Sequence, residues 1–228
     1  PPRDVLDPQG MAGPQAEGIS GEPPWSPVDP LRIYGLGAAL PGDLNRDGFP
    51  DMALGARGSN FEAHVFLGGR NGFPPAPHAV VSLAIPGVTN GFLSVTQRPP
   101  NLLGPGDLNG DGIPDLLVGV PTYLNGTTTN GALFAFSGAQ LGAGGPLGNS
   151  NAFWSVLGGY PNAQFATAVA AGDINRDGFS DVLVGSPYFQ NSSTIVRPLG
   201  RVFLYLGSAT GLPAVPTHSV FPPQLVGS

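Results

Sequence analysis

Three stretches of the chain place oxygen-bearing side chains at alternate positions. They read Asp43-Leu-Asn-Arg-Asp-Gly-Phe-Pro-Asp51, Asp107-Leu-Asn-Gly-Asp-Gly-Ile-Pro-Asp115 and Asp173-Ile-Asn-Arg-Asp-Gly-Phe-Ser-Asp181. Each puts Asp, Asn and Asp at positions one, three and five, Gly at six and Asp at nine. Side-chain oxygens so spaced can close on one hard cation, and the backbone carbonyl at position seven can join them. Gly at position six permits the sharp turn with φ > 0. The expected donors are Asp43, Asn45, Asp47, the Phe49 carbonyl and Asp51. In the second loop they are Asp107, Asn109, Asp111, the Ile113 carbonyl and Asp115. In the third they are Asp173, Asn175, Asp177, the Phe179 carbonyl and Asp181. Calcium, which takes about six to eight oxygens, is the expected cofactor at three sites; magnesium usually keeps several waters. The loop is not an EF-hand, which needs an acid at position twelve, where this chain has Leu54, Val118 and Val184. The competing reading is three Asp-rich turns that bind nothing, and three copies in register weigh against it.

Composition sharpens the case for a cation. Charged residues are 11% of the chain, no Lys occurs, and nine of the twelve Asp lie in the three phrases. The net charge of −6 is thus gathered at three spots, where like charges repel unless a cation binds. Nothing basic suggests nucleic acid. No run approaches the roughly 18 apolar residues of a membrane span. There is no cysteine, so redox compartment is not legible. The first residue is Pro1, which fits removal of a signal peptide or a piece of a longer protein. Outside the phrases there is no Ser/His/Asp, Cys/His or paired-carboxylate constellation, so no enzyme is expected and the metals are expected to be structural. His64, His78 and His218 fall at differing repeat positions and read as strand or surface residues.

The phrases begin 64 and 66 residues apart, at 43, 107 and 173, which marks a repeat. Residues 1–22, rich in Pro and Gly, read as an arm or linker, and 23–228 as the repeated region. Within each repeat a small-residue strand comes first: 33–39, or 165–170. In the middle repeat it falls either at 92–95 or around Leu102-Leu103. The Asp loop follows, then a continuous apolar run: 52–56, 116–120 and 182–186. Runs without alternation, bounded by turn residues, fit strands buried on both faces. Third strands are expected at 63–67, 132–136 and 201–206, and outer strands at 78–83, 152–156 and 218–221. The fold class is all-β: three four-stranded antiparallel units, of the kind that repeat radially as propeller blades, with no helix. Trp25 and Trp154 sit 18 and 19 residues before a phrase and read as packing residues.

In an antiparallel blade the metal loops are the turns between strands one and two. The loops between strands two and three, about 57–62, 122–131 and 188–200, lie on the opposite face. Long loops on a rigid scaffold are where binding tends to sit. Tyr123, Tyr188 and Phe189 are the candidate partner contacts, or else ordinary aromatics covering blade edges. Asn125-Gly-Thr127 and Asn191-Ser-Ser193 fit the N-glycosylation pattern on that face. Arg46 and Arg176, at the variable fourth position, read as exposed charges that partly offset the loop Asp.

On Phe165-Ala166, the loop Asp173–Asp181 and Gly185-Ser186-Pro187, the chain resembles the FG-GAP repeats of the integrin α-subunit β-propeller and its secreted relatives. Gly119-Val120-Pro121 and Gly55-Ala56-Arg57 are weaker forms of the second half. The resemblance implies a seven-bladed propeller with calcium on one face and adhesion or ligand binding on the other, in an extracellular or cell-surface protein. Its partner would be a protein or glycan. Three blades leave an incomplete ring, since propellers take about four to eight. Further chain, or other copies associating through the terminal strands, would complete it. Two other readings stay open: a structural subunit of an extracellular assembly, and a non-catalytic accessory region of a secreted enzyme.

Overall fold

The computed structural model describes residues 33–57, 60–85, 100–190 and 199–220. Residues 1–22, expected to form an arm or linker, Trp25, the 92–95 alternative and Asn191 lie outside them. Fifteen strands, one short α-helix and one 3-10 turn make up the regular structure of the described residues.

The first blade is a meander of β1 (Ile33–Gly42), β2 (Asp51–Arg57), β3 (Phe61–Phe66) and β4 (Ala79–Leu83), each antiparallel to the next. The second opens with β5 (Asn101–Leu103) and β6 (Leu116–Val120). A two-stranded ribbon, β7 (Leu124–Asn125) with β8 (Thr128–Thr129), then leads to β9 (Ala132–Phe136). Helix α1 (Gly138–Ala143), β10 (Gly145–Leu147) and the 3-10 turn Asn149–Asn151 precede its outer strand β11 (Trp154–Leu157). The third blade is β12 (Ala168–Gly172), β13 (Asp181–Ser186), β14 (Arg201–Tyr205) and β15 (His218–Val220). These sheets are propeller blades, and the three do not close a ring.

The continuous apolar runs explain the burial. All five residues of β6 and of β9 are buried, because each faces a neighbouring blade on both sides. Leu116, Val118, Val120, Phe134 and Phe136 pack on Ala53, Ala63 and Val65 of the first blade. Leu117, Leu133 and Ala135 pack on Val182, Val184, Phe203 and Tyr205 of the third. Trp154 joins blades two and three: its Nε1–H donates to the Pro213 carbonyl at 3.0 Å, and its ring meets Tyr205 edge-on. Small residues let the first strands approach. A Cβ on Gly37 would stand 2.8 Å from the Pro100 oxygen, and one on Gly104 would stand 2.5 Å from the Leu40 oxygen.

Of the two placements open for the middle repeat's first strand, the structure shows a strand at Leu102-Leu103. Two expectations change. The third repeat's first strand starts at Ala168 rather than Phe165, because Gln164 (φ 51°) and Ala166 (φ 66°) are left-handed and hold Phe165 in a turn. The expectation of no helix fails at α1. Leu141 of that helix is fully buried, and the segment after it adds β10 parallel to β4, a fifth strand on the first blade's outer edge.

Candidate metal centres

The three Asp loops adopt one geometry. In the first, Asp43 accepts the Asp47 N–H at 3.0 Å and the Gly48 N–H at 2.8 Å, one on each carboxylate oxygen. Asn45 Oδ1 accepts the Asp47 N–H, and Asp47 Oδ1 accepts the Phe49 N–H. The corresponding bonds recur about Asp107, Asn109 and Asp111, and about Asp173, Asn175 and Asp177. Gly48, Gly112 and Gly178 have φ of 90°, 77° and 91°, so position six is left-handed in every loop.

Position nine differs in kind from the other candidate donors. Asp51, Asp115 and Asp181 are fully buried. Oδ2 of each accepts the N–H of position two: Leu44 at 2.6 Å, Leu108 at 2.8 Å and Ile174 at 2.8 Å. Oδ1 accepts an N–H from just beyond the third strand: Gly68 at 2.8 Å, Gly138 at 2.9 Å and Gly207 at 2.8 Å. The residue therefore braces the Asp loop against the turn that follows strand three. Glycine is required on the far side. A Cβ there would stand 2.2, 1.9 and 2.3 Å from the carbonyl oxygens of Pro50, Pro114 and Ser180. Sequence reasoning missed this brace; the recurring Gly after each third strand was its signal.

These buried carboxylates have no cationic side chain within salt-bridge distance among the described residues. Burial first, and then the neighbouring loop Asp, raise the Asp51 carboxyl above the usual range, against the pull of its two N–H bonds. The same causes push Asp115 up to about 6. A buried carboxylate in such a setting is costly without a compensating charge, and hard oxygen donors suit a divalent cation. The residues present thus fit one. In the structure the loop carboxylates turn onto their own N–H groups, and among the described residues no three His, Cys, Asp or Glu side chains converge on one point.

The loops share a face and touch in sequence. Arg46 donates to the Asp111 carbonyl at 3.1 Å, so it bridges two loops rather than standing free. Ser180 Oγ donates to the Pro105 carbonyl at 2.9 Å, tying the third loop to the second blade. Arg176 is exposed.

On the opposite face the candidate contacts separate. Phe189 is buried, stacked edge-on with Tyr160 at 4.2 Å and beneath the Arg201 guanidinium at 4.9 Å, so it is an interior residue and not a contact. Tyr123 is half-buried, edge-on to Phe134, with its hydroxyl accepting from Asn149 Nδ2. Tyr188 is exposed. It lines a cleft of about 530 Å3 with Thr129, Pro161, Asn162, Gln164 and Gln190. Gln164 Oε1 is buried there without a hydrogen-bond partner. Asn125 is exposed at the tip of the β7–β8 ribbon. His64 is no ordinary strand residue: it is buried between the Tyr34 hydroxyl at 2.9 Å and Glu62 at 2.8 Å.

Residues 100–136 and 165–197 match the FG-GAP repeat family, and the chain carries FG-GAP repeats there. It is also similar to integrin α subunits. It is 36% identical to human integrin alpha-6 over 115 residues, 49% of this chain and 9% of that protein. It is 34% identical to mouse integrin alpha-IIb over 128 residues, 54% and 12% respectively. With mouse integrin alpha-3 the identity is 39% over 108 residues, 46% and 9%. The matched region thus spans about a tenth of each relative. Among the described residues no helix is long and apolar enough to cross a membrane.

Proposed function

We propose that the chain is a calcium-stabilised, extracellular β-propeller segment that binds a protein or glycan ligand, as in adhesion, and is not itself an enzyme. The observation that carries the reading is the fully buried carboxylate at position nine, held by backbone N–H groups with no cationic side chain in salt-bridge distance among the described residues and repeated three times. Asp43, Asn45, Asp47, the Phe49 carbonyl and Asp51 would hold one ion. Asp107, Asn109, Asp111, the Ile113 carbonyl and Asp115 would hold a second, and Asp173, Asn175, Asp177, the Phe179 carbonyl and Asp181 a third. A bound cation would supply charge compensation, stabilising the ionised forms of Asp51 and Asp115 that burial and the neighbouring loop Asp disfavour. The protein's own N–H groups orient those carboxylates, and the position-nine residue carries that order to the turn after strand three.

The ligand seat we assign is the cleft around Tyr188 on the face away from the loops. Its amide lining suits hydrogen-bonding ligands, and Gln164 Oε1 offers an acceptor that a ligand donor would satisfy. Asn125 is the proposed glycan site on the same face; Asn191, also proposed, lies outside the described residues. Calcium titration calorimetry tests the metal reading. Three equivalents are expected, with the thermal midpoint lowered by EDTA; no heat and no shift would sink it. For the ligand reading, attachment of cells to immobilised chain should fall on Tyr188→Ala with the fold intact. Attachment unchanged by that variant would move the seat elsewhere.

A further inference from the structure

Three segments build the cleft around Tyr188. Thr129 comes from the β7–β8 ribbon, Pro161, Asn162 and Gln164 from the link between β11 and β12, and Tyr188 and Gln190 from the loop after β13. None of these side chains carries a charge. The link is held in an unusual shape, with Asn162 (φ 56°) and Gln164 (φ 51°) both left-handed. Such conformations are costly for non-glycine residues, persist only where their surroundings fix them, and cluster at ligand clamps. Here the Ala163 carbonyl accepts from Ser186 Oγ at 2.9 Å and from the Tyr188 N–H at 3.3 Å. Thr167 Oγ1 donates to the Gln164 carbonyl at 2.7 Å. The cleft is therefore preformed, and its 530 Å3 lies within the range of roughly 300–1,000 Å3 usual for small-ligand sites.

Two of its side chains present opposite needs. Asn162 Oδ1 accepts both the N–H and the hydroxyl of Thr129, each at 3.1 Å. That fixes the amide, and Nδ2 is left as a donor with no partner among the described residues. Gln164 Oε1 is the reverse, a buried acceptor with no hydrogen-bond partner. An acceptor buried unpaired is costly, so a ligand that donates to it gains. A carboxylate or sulfate has no hydrogen to give. An ammonium or guanidinium has, but no lining carboxylate would offset its charge. A hydroxyl both donates and accepts, and so meets both needs. Tyr188, 42% exposed, adds a flat apolar ring beside them.

We infer that the cleft takes an uncharged pyranose ring of a glycan, a step that rests on the ligand seat assigned above and names what fills it. The ring's C–H face covers the Tyr188 ring, one hydroxyl donates to Gln164 Oε1, and another accepts from Asn162 Nδ2. A rigid ring that carries several hydroxyls gives up little freedom on binding. A peptide side chain reaching the same atoms must first be ordered, which costs affinity.

The probes are methyl glucoside, methyl galactoside and N-acetylglucosamine, with glucuronate as the charged control. Each is titrated into the full chain, made without glycosylation and held in calcium, while amide NMR shifts are followed. At least one neutral sugar should give saturable shifts at Asn162, Gln164 and Tyr188, with half-saturation at about 1–10 mM, the weak affinity that one small ligand with few polar contacts allows. Glucuronate should not. Gln164→Leu, which keeps the bulk and removes the acceptor, should weaken binding about fivefold or more. Tyr188→Ala serves if Gln164→Leu disturbs the spectrum. No saturable shift from any neutral sugar up to about 50 mM would overturn the pyranose site. So would glucuronate binding as tightly as the neutral sugars, or full binding by a folded Gln164→Leu chain. Cell attachment separates this result from the seat itself. Attachment that falls with Tyr188→Ala, yet withstands the sugars and glycosidase treatment of the cells, would give the seat to a peptide and overturn the pyranose alone. Attachment unchanged by Tyr188→Ala, with the sugar shifts present, would uphold the pyranose site and remove it from adhesion.

Discussion

Asp115 shows how one carboxylate couples the loop to pH. Burial raises its pKa in the folded chain from 3.8 to about 6. An acid whose folded pKa exceeds its unfolded value favours folding while protonated. That contribution is complete below about pH 4 and lost as pH rises through about 6. In chelator the thermal midpoint should therefore fall between those values. With saturating calcium the trend should reverse, because the cation binds the ionised form. Scans at graded pH with and without EDTA decide it; a midpoint rising with pH in chelator would show that the N–H bonds outweigh burial. The partner of this carboxylate makes a second test. Gly138→Ala would force a Cβ to 1.9 Å from the Pro114 oxygen, a clash that only backbone movement relieves. We expect a loss of about 2 kcal/mol or more by urea unfolding. Gly159→Ala, where a Cβ meets nothing within 4 Å, should change stability by less than about 0.5 kcal/mol.

Among elements, α1 and β10 carry a role that local sequence does not advertise. The helix buries Gly138 and Leu141, the Gly142 carbonyl pairs with His78 Nε2 at 2.9 Å, and β10 then extends the first blade's sheet. The insertion clamps blade two onto blade one. Leu141→Ala should cost about 2–5 kcal/mol, as for other buried leucines. Hydrogen exchange should quicken in β4 and leave β13 and β14 unchanged; uniform quickening would deny the clamp. Sequence reading missed the helix because two of its six residues are Gly and one turn and a half is too short for a period to show. Strands such as β6 and β9 were legible to the residue, since an apolar run between turn residues is a local signal. The start of β12 was not, because tertiary packing holds Phe165 and Ala166 in a turn. The shared turn of the three Asp loops was legible for the same local reason, within nine residues. Their brace was not: Gly68, Gly138 and Gly207 lie 17, 23 and 26 residues from the carboxylates they bond.

Across the described residues the three loops are joined unequally, and on the calcium reading proposed above that makes the three sites separable. Arg46 reaches from the first loop to the Asp111 carbonyl in the second, so ordering one loop helps to order the other. At the same position the second loop has Gly110, which cannot reach onward, and the third loop meets blade two through Ser180 instead. Asp177→Ala should therefore remove one calcium equivalent and leave the other two affinities unchanged. Asp47→Ala should remove one equivalent and also weaken the second loop by about 2–5-fold, the scale of coupling between contacting residues. Adding Arg46→Ala should abolish that second effect, because the bridge is already gone. Calorimetric calcium titration of the three single variants and the double gives the cycle. Equal effects of Asp47→Ala and Asp177→Ala on the second loop would mean that coupling runs through the blades at large. Loss of every metal from Asp177→Ala alone would mean that the cations bind only as a set.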